Sequence, residues 1–320
     1  MVKLEFNYLT LPQGYQLCNY VIRDILGQGG SSIAYLAQDI QLQNLVVIKE
    51  YFPIGIASRD GQTINETYND VDAKTAYEKG LKVFLEEGQK LEGLYHPALE
   101  RVLKCFQLNN TAYQVVSYIE GETLDKYLKR EFTLSPQVTL HFAAELLDGL
   151  EVLHQYGLIH RGIRPANIII SHKGKPVLLD IGVAKTALQN LDQDPERALN
   201  NDGYTPPEEL FCKPSFSPAT DFYALGSTLY KCVTAVTPEH AHFRFHDDEH
   251  IPINQLSIAK QCPRGLVRLI DQCMQLNQKK RPQSANEAKF LLKEGGTFKY
   301  VKKCISVLKK ALSRNEMMKS

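Results

Sequence analysis

The chain has few of the features that would set it apart from ordinary globular proteins. No apolar run is long enough to cross a bilayer, and the start, Met1-Val2-Lys3-Leu4-Glu5, has no apolar stretch leading to a small-residue cleavage site. Net charge is nearly absent. With 37 basic and 36 acidic residues the formal charge is +1, so no global field draws the chain to nucleic acid or to an anionic membrane, and such a contact needs a local patch. Cysteine is sparse and unpatterned: Cys18, Cys105, Cys212, Cys232, Cys262, Cys273 and Cys304 are odd in number and lack metal-ligand spacing. That predicts free thiols in a reducing compartment. There is no internal repeat and no low-complexity segment. These absences predict a soluble, cytoplasmic chain with no nucleic-acid partner, and they leave the oligomeric state unknown.

What is present is enough apolar material for a full core: 320 residues, 43% hydrophobic and 23% charged. Alternating apolar runs at Tyr20 to Leu26, Ile33 to Ala37 and Leu45 to Ile48, around a glycine cluster, predict a small antiparallel sheet. Helical spacing follows over Ala73 to Leu94 (Tyr77, Leu81, Phe84, Leu91, Leu94) and is stopped by His96-Pro97, because the residue before proline is pushed out of the α region. Val102 to Leu108 and Ala112 to Ile119 read as two more strands. After Gly121 the pattern is mostly helical, with Thr123 to Lys129 and then Val138 to Tyr156, the latter opened by Ser135 as N-cap and Pro136 in the first turn. Two short strands, Asn167 to Ile170 and Pro176 to Leu179, flank a Lys173-Gly174-Lys175 turn.

Several groups carry chemistry on this frame. Gly27-Gln28-Gly29-Gly30 lies between two strands and reads either as a plain tight hairpin or as a backbone able to close over phosphates. Lys49 ends the strand Val46-Val47-Ile48, with Glu87 on the next helix available as its partner. Asp180 follows a strand and precedes Ile181-Gly182, presenting a carboxylate suited to Mg²⁺, and Asn167 can add a second oxygen. In order along the chain come the glycine hairpin, Lys49, Glu87, His160-Arg161-x-x-x-x-x-Asn167, Asp180-Ile181-Gly182, Pro206-Pro207-Glu208, Asp221 with Gly226, and Arg281.

In that order the motifs resemble the eukaryotic-like bacterial serine/threonine protein kinases, over roughly residues 12 to 292. The segment Lys49-Glu50-Tyr51-Phe52-Pro53 is similar to one bacterial subgroup. The resemblance implies an α+β, two-lobed protein-kinase-like fold, with a small β-rich N-lobe with one long helix at 20–119 and a larger α-helical C-lobe at 120–296; a lead-in at 1–19 and a tail helix at 297–320, the latter read from its own apolar spacing, flank it. It also implies an ATP site between the lobes, built from Gly27, Gln28, Gly29, Gly30, Ala34 and Val47 with Lys49 and Glu87. The hinge would run over Val116 to Glu120, with Val116 as gatekeeper beside Ser117 and Ile119, and Ile169 would face the nucleotide from the other lobe. Mg²⁺ would sit on Asn167 and Asp180. Glu208 with Arg281 is implied to be a structural ion pair, and Asp221 the anchor of the catalytic loop.

At one position the pattern fails outright. Gly162 stands where the family carries the Asp that takes the proton from the acceptor hydroxyl. Arg164 stands where lysine usually contacts the γ-phosphate, and Ser32 and Ala34 replace the third glycine and the valine of the glycine-rich loop. No Ser, Thr or Tyr lies between Thr186 and Tyr204 to accept an activating phosphate. Asp192, Asp194 and Glu196 either pair with Arg161 in its stead or form a solvated loop. His160 and His96 read as structural residues, and His172, His240, His242, His246 and His250 lack a metal framework.

These departures predict a pseudokinase that retains ATP and Mg²⁺ and acts as a scaffold or allosteric regulator of a protein partner. The alternative is a low-activity serine/threonine kinase or another ATP-dependent transferase, such as an adenylylating enzyme, with a non-standard loop. Beyond Gly296 a basic amphipathic stretch (Phe298, Val301, Ile305, Leu308, Leu312, amid Lys299, Lys302, Lys303, Lys309, Lys310 and Arg314) reads as a helix that packs on protein or meets an anionic membrane surface.

Overall fold

The computed structural model describes residues 9–66, 71–181, 203–210 and 215–293. Gly182, the acidic trio Asp192, Asp194 and Glu196, Cys212, and the basic tail with Cys304 lie outside the described residues. Contacts divide the chain into two compact units. Among described residues the first holds 9–66, 71–95 and 100–118, and the second holds 96–99, 119–181 and everything described beyond 203.

The first unit is built on a six-stranded antiparallel sheet. Its strands are β1 (Gln16–Leu17), β2 (Tyr20–Gln28), β3 (Ser32–Asp39), β4 (Leu45–Tyr51), β7 (Val102–Leu108) and β8 (Thr111–Ser117), in the order β1-β2-β3-β4-β8-β7. A separate hairpin, β5 (Ala57–Asp60) with β6 (Thr63–Glu66), follows β4, and the helix α1 spans Val71–Glu92. Alternation along β3 buries Ile33, Tyr35 and Ala37, which join Ile22, Ile48, Tyr51, Phe52, Tyr77 and Phe84 in one core. Gln114 Nε2 donates to the Phe84 carbonyl at 2.8 Å, tying β8 to α1.

The second unit is mainly helical. It contains α2 (Leu124–Glu131), α3 (Pro136–Gln155), α4 (Pro218–Thr234), α5 (Ala241–His246), α6 (Arg264–Cys273) and α7 (Ala285–Lys293). A small sheet of β9 (Gly121–Thr123), β10 (Ile168–Ser171) and β11 (Pro176–Leu178) interrupts the helices, ordered β11-β10-β9. Ser135 caps α3, its hydroxyl oxygen accepting from the Val138 N–H at 3.4 Å, with Pro136 as first helical residue. The helix α4 is buried along nearly its whole length, which makes it the spine of the unit. Its Gly226 permits the close approach of α6: a Cβ there would stand 2.6 Å from the Cβ of Cys273. The stretch His96–Leu99 belongs to this unit because Leu178 N–H donates to the Ala98 carbonyl at 2.9 Å and Leu99 bridges to Leu178.

The described cysteines, Cys18, Cys105, Cys232, Cys262 and Cys273, are all free. Burial pushes the thiols of Cys232 and Cys273 up to about 12, so both are inert packing residues. No helix among the described residues is long and apolar enough to cross a membrane.

Candidate active site

In the first unit, strand register gathers the residues expected to face a nucleotide. Gly27 pairs with Ala34 and Ala34 with Lys49, forming a row across β2, β3 and β4, while Val47 pairs with Val116 and Val46 with Ser117. At Gly27 and Gly30 an added Cβ would meet no protein atom within 4 Å, so the protein's own packing does not require glycine there. Gln28 ends β2, and Gly29 N–H donates to the Ser32 carbonyl at 2.8 Å to close the turn.

Lys49 is buried, and its ammonium makes an ion pair with Glu100, itself buried at the entry to β7. The sequence reading assigned nothing to Glu100. Glu87, the partner expected for Lys49, sits half-buried on α1.

Alternation along β4 sends the next residue, Glu50, to the opposite face. Glu50 is fully buried and accepts hydrogen bonds from the hydroxyls of Tyr35 at 2.7 Å and Tyr113 at 2.8 Å, and it pairs with the guanidinium of Arg59. Burial above all, and then the neighbouring Glu50 carboxylate, raises the pKa of both phenols, so they stay protonated donors. The network gives a physical reason for the charged residue after Lys49: it pins β3, β4, β8 and the β5–β6 hairpin to one another.

In the second unit the loop 160–167 has a complete set of anchors. Asp221, wholly buried on α4, accepts from the His160 N–H at 2.9 Å and the Arg161 N–H at 2.8 Å, and lies 2.7 Å from His154 Nε2. These bonds hold Arg161 in the left-handed region at φ 58°. His160 Nδ1 accepts from the Gly162 N–H at 3.2 Å, and Asn167 Nδ2 donates to the Gly162 carbonyl at 2.8 Å. The loop is therefore held at Gly162 through its backbone N–H and carbonyl, groups that almost any residue offers.

Gly162 does not have a left-handed backbone, and a Cβ at this position would meet Asn167 Nδ2 and His160 Nδ1 at 3.4 Å, an ordinary contact. Glycine is not demanded by geometry. The loop lacks a carboxylate at this point, and its backbone admits a Cβ there.

Leu179 N–H donates to the Asn167 carbonyl at 2.9 Å and so sets Asp180 beside Asn167; Asp180 takes φ 60°. Because Asn167 spends its side-chain N–H on Gly162, its side-chain oxygen Oδ1 is the atom that can face a cation. One amide oxygen and one carboxylate suit Mg²⁺, which keeps several waters and takes its other ligands from phosphates. Among the described residues no group of three or more His, Cys, Asp or Glu forms a metal site.

Ile169 lies half-buried in β10, opposite Val177 and Thr123, Ile119 is also half-buried, and Arg164 is exposed. The Arg161 guanidinium stacks 3.7 Å from the centre of the Phe216 ring, with Nη2 3.7 Å from Glu209 Oε2. Glu208 receives Arg281 in a two-pronged pair at 2.7 and 3.0 Å, and the Arg281 side chain is completely buried.

Comparison with known proteins gives a consistent picture. The family described as Protein kinase domain matches residues 20–291. Serine/threonine-protein kinase PknA of Nostoc sp. is 30% identical over 72% of this chain and 40% of its own length. Serine/threonine-protein kinase F of Synechocystis sp. is 28% identical over 86% of this chain and 55% of its own, and PrkC of Bacillus subtilis is 29% identical over 68% and 31%. The chain thus spans only about a third to just over half of these relatives. Among solved structures, PpkA-294 in its apo form aligns with a TM-score of 0.77 at 30% identity, covering 88% of this chain and 99% of that one. A match running over most of the chain, on a β-rich unit and a helical unit of this construction, makes this protein a member of the protein kinase domain family, with bacterial serine/threonine kinases among its relatives.

Proposed function

We propose that this protein is a pseudokinase that binds ATP with Mg²⁺ and acts on a protein partner by presenting a nucleotide-dependent surface. One observation carries the reading: a loop held by Asp221, His160 and Asn167 in a defined shape around position 162, with glycine where the proton acceptor belongs. General-base assistance contributes about 10² to 10⁴ in rate, or roughly 3 to 5 kcal/mol of barrier. Losing it leaves transfer to protein hydroxyls vestigial. Retention of Lys49, Asn167 and Asp180 on ordered elements supports nucleotide and metal binding without turnover. A cytoplasmic setting, a protein partner and a tail that touches anionic membrane belong to the same proposal.

The retained Lys49 and Asp180 also favour a second reading, slow phosphoryl transfer or transfer of the adenylyl group. Incubation with ATP labelled on the α or the γ phosphate separates the two. The pseudokinase leaves the protein and candidate substrates unlabelled. Label from the γ position at ordinary turnover means an intact kinase, and label from the α position means an adenylyl transferase. Binding is checked by thermal shift with ATP and Mg²⁺: stabilisation of the wild type that is lost in Lys49→Ala and Asp180→Ala is the expected result.

A further inference from the structure

The ion pair between Lys49 and Glu100 is not used by the reading above. Glu100 lies in the link before β7, and its backbone is fixed by its neighbours: the Arg101 carbonyl accepts from the Ser117 N–H at 2.9 Å, and Val102 pairs with Val116. Val116 in turn pairs with Val47, two residues from Lys49 on β4. A lone carboxylate at the edge of an apolar segment is thereby carried across β8 to the ammonium. Both side chains are at most 7% exposed. Neither is a solvated surface charge free to swing away.

We propose that Glu100 is a built-in competitor for the phosphate-facing ammonium, an internal anion that lowers the affinity of this site for polyphosphate nucleotides. The inference rests on the nucleotide-binding reading of Lys49. A buried ammonium paired with a carboxylate attracts a further anion much less than the same ammonium opposite a neutral acceptor, because the carboxylate offsets part of its charge and itself repels the incoming phosphates. An ammonium has three N–H donors, so Glu100 and a phosphate can both bond to it. What Glu100 removes is charge, and its effect must scale with the charge of the ligand.

The test compares ATP with Mg²⁺ against adenosine, titrated calorimetrically into the wild type, Glu100→Gln and Glu100→Asp. Glu100→Gln keeps the shape and an acceptor oxygen while removing the charge. It is expected to tighten ATP binding by at least about tenfold and to leave adenosine within about twofold, the mark of an electrostatic effect. Glu100→Asp, one methylene shorter, is expected to fall between them and carries the comparison if Glu100→Gln does not fold. ATP binding by Glu100→Gln where the wild type shows none also supports the proposal. Equal or weaker ATP binding by folded Glu100→Gln overturns it and leaves nucleotide binding standing. No binding to the wild type or to either variant overturns both.

Discussion

The loop around Gly162 in the second unit and the strand around Lys49 in the first place their acids differently. The loop is held by Asp221, His160 and Asn167 and carries no acid at position 162, while the lysine of the strand has a buried acid paired with it. In each place the residues that hold the backbone are separate from the residue that would react. Asp221 secures two backbone N–H groups whatever occupies position 162, and Glu50 locks four strands whatever pairs with Lys49.

The largest losses are expected at the anchors. Glu50→Ala strips the counter-charge from buried Arg59 and the acceptor from two tyrosines, so a loss of about 3 to 5 kcal/mol is expected, read by urea denaturation. Asp221→Asn keeps an oxygen but loses charge-assisted bonds to the loop, and about 1.5 to 3 kcal/mol should go. Hydrogen exchange at the His160 and Arg161 amides should rise with it. Gly226→Ala forces a Cβ against Cys273 and is expected to cost about 1 to 3 kcal/mol by overpacking. The smallest stability effect belongs to Gly162→Asp, within about 1 kcal/mol, because that backbone accepts a side chain. The same variant has a kinetic readout as well: γ-phosphate transfer should rise by about 10² to 10⁴ over the wild type. A large loss of stability in Gly162→Asp would show that glycine is structural after all.

Much of the frame was legible in the residues because it depends on local rules. The strand Val102 to Leu108 was placed at its observed ends, and the cap Ser135-Pro136 opens α3 as read. The helix expected over Ala73 to Leu94 runs over Val71–Glu92, two residues earlier at each end, since His96-Pro97 limits a helix without fixing its last turn. The β5–β6 hairpin was missed. Its strands are only four residues each, too short for an alternation to stand out, and Arg59 is held there by Glu50, nine positions earlier.

Position 162 could be read as a missing acid from the sequence alone, because the neighbouring motifs define what belongs there. The carboxylate at Glu100 could not be given a role in that way. Its partner lies 51 positions away, and only the pairing of β7 with β8 and of β8 with β4 brings the two together.

The family, the order of the two structural regimes, the glycine at position 162 and the residues expected to meet nucleotide and metal are legible along the chain, because periodicity, breakers and ordered motifs are written in neighbouring residues. That a Cβ fits at position 162, that Glu50 is the hub of a buried network and that Lys49 is paired with Glu100 emerge from the folded arrangement alone. Those facts depend on which distant side chains share a low-dielectric interior, and burial and charge pairing across strands leave no local signal in the chain.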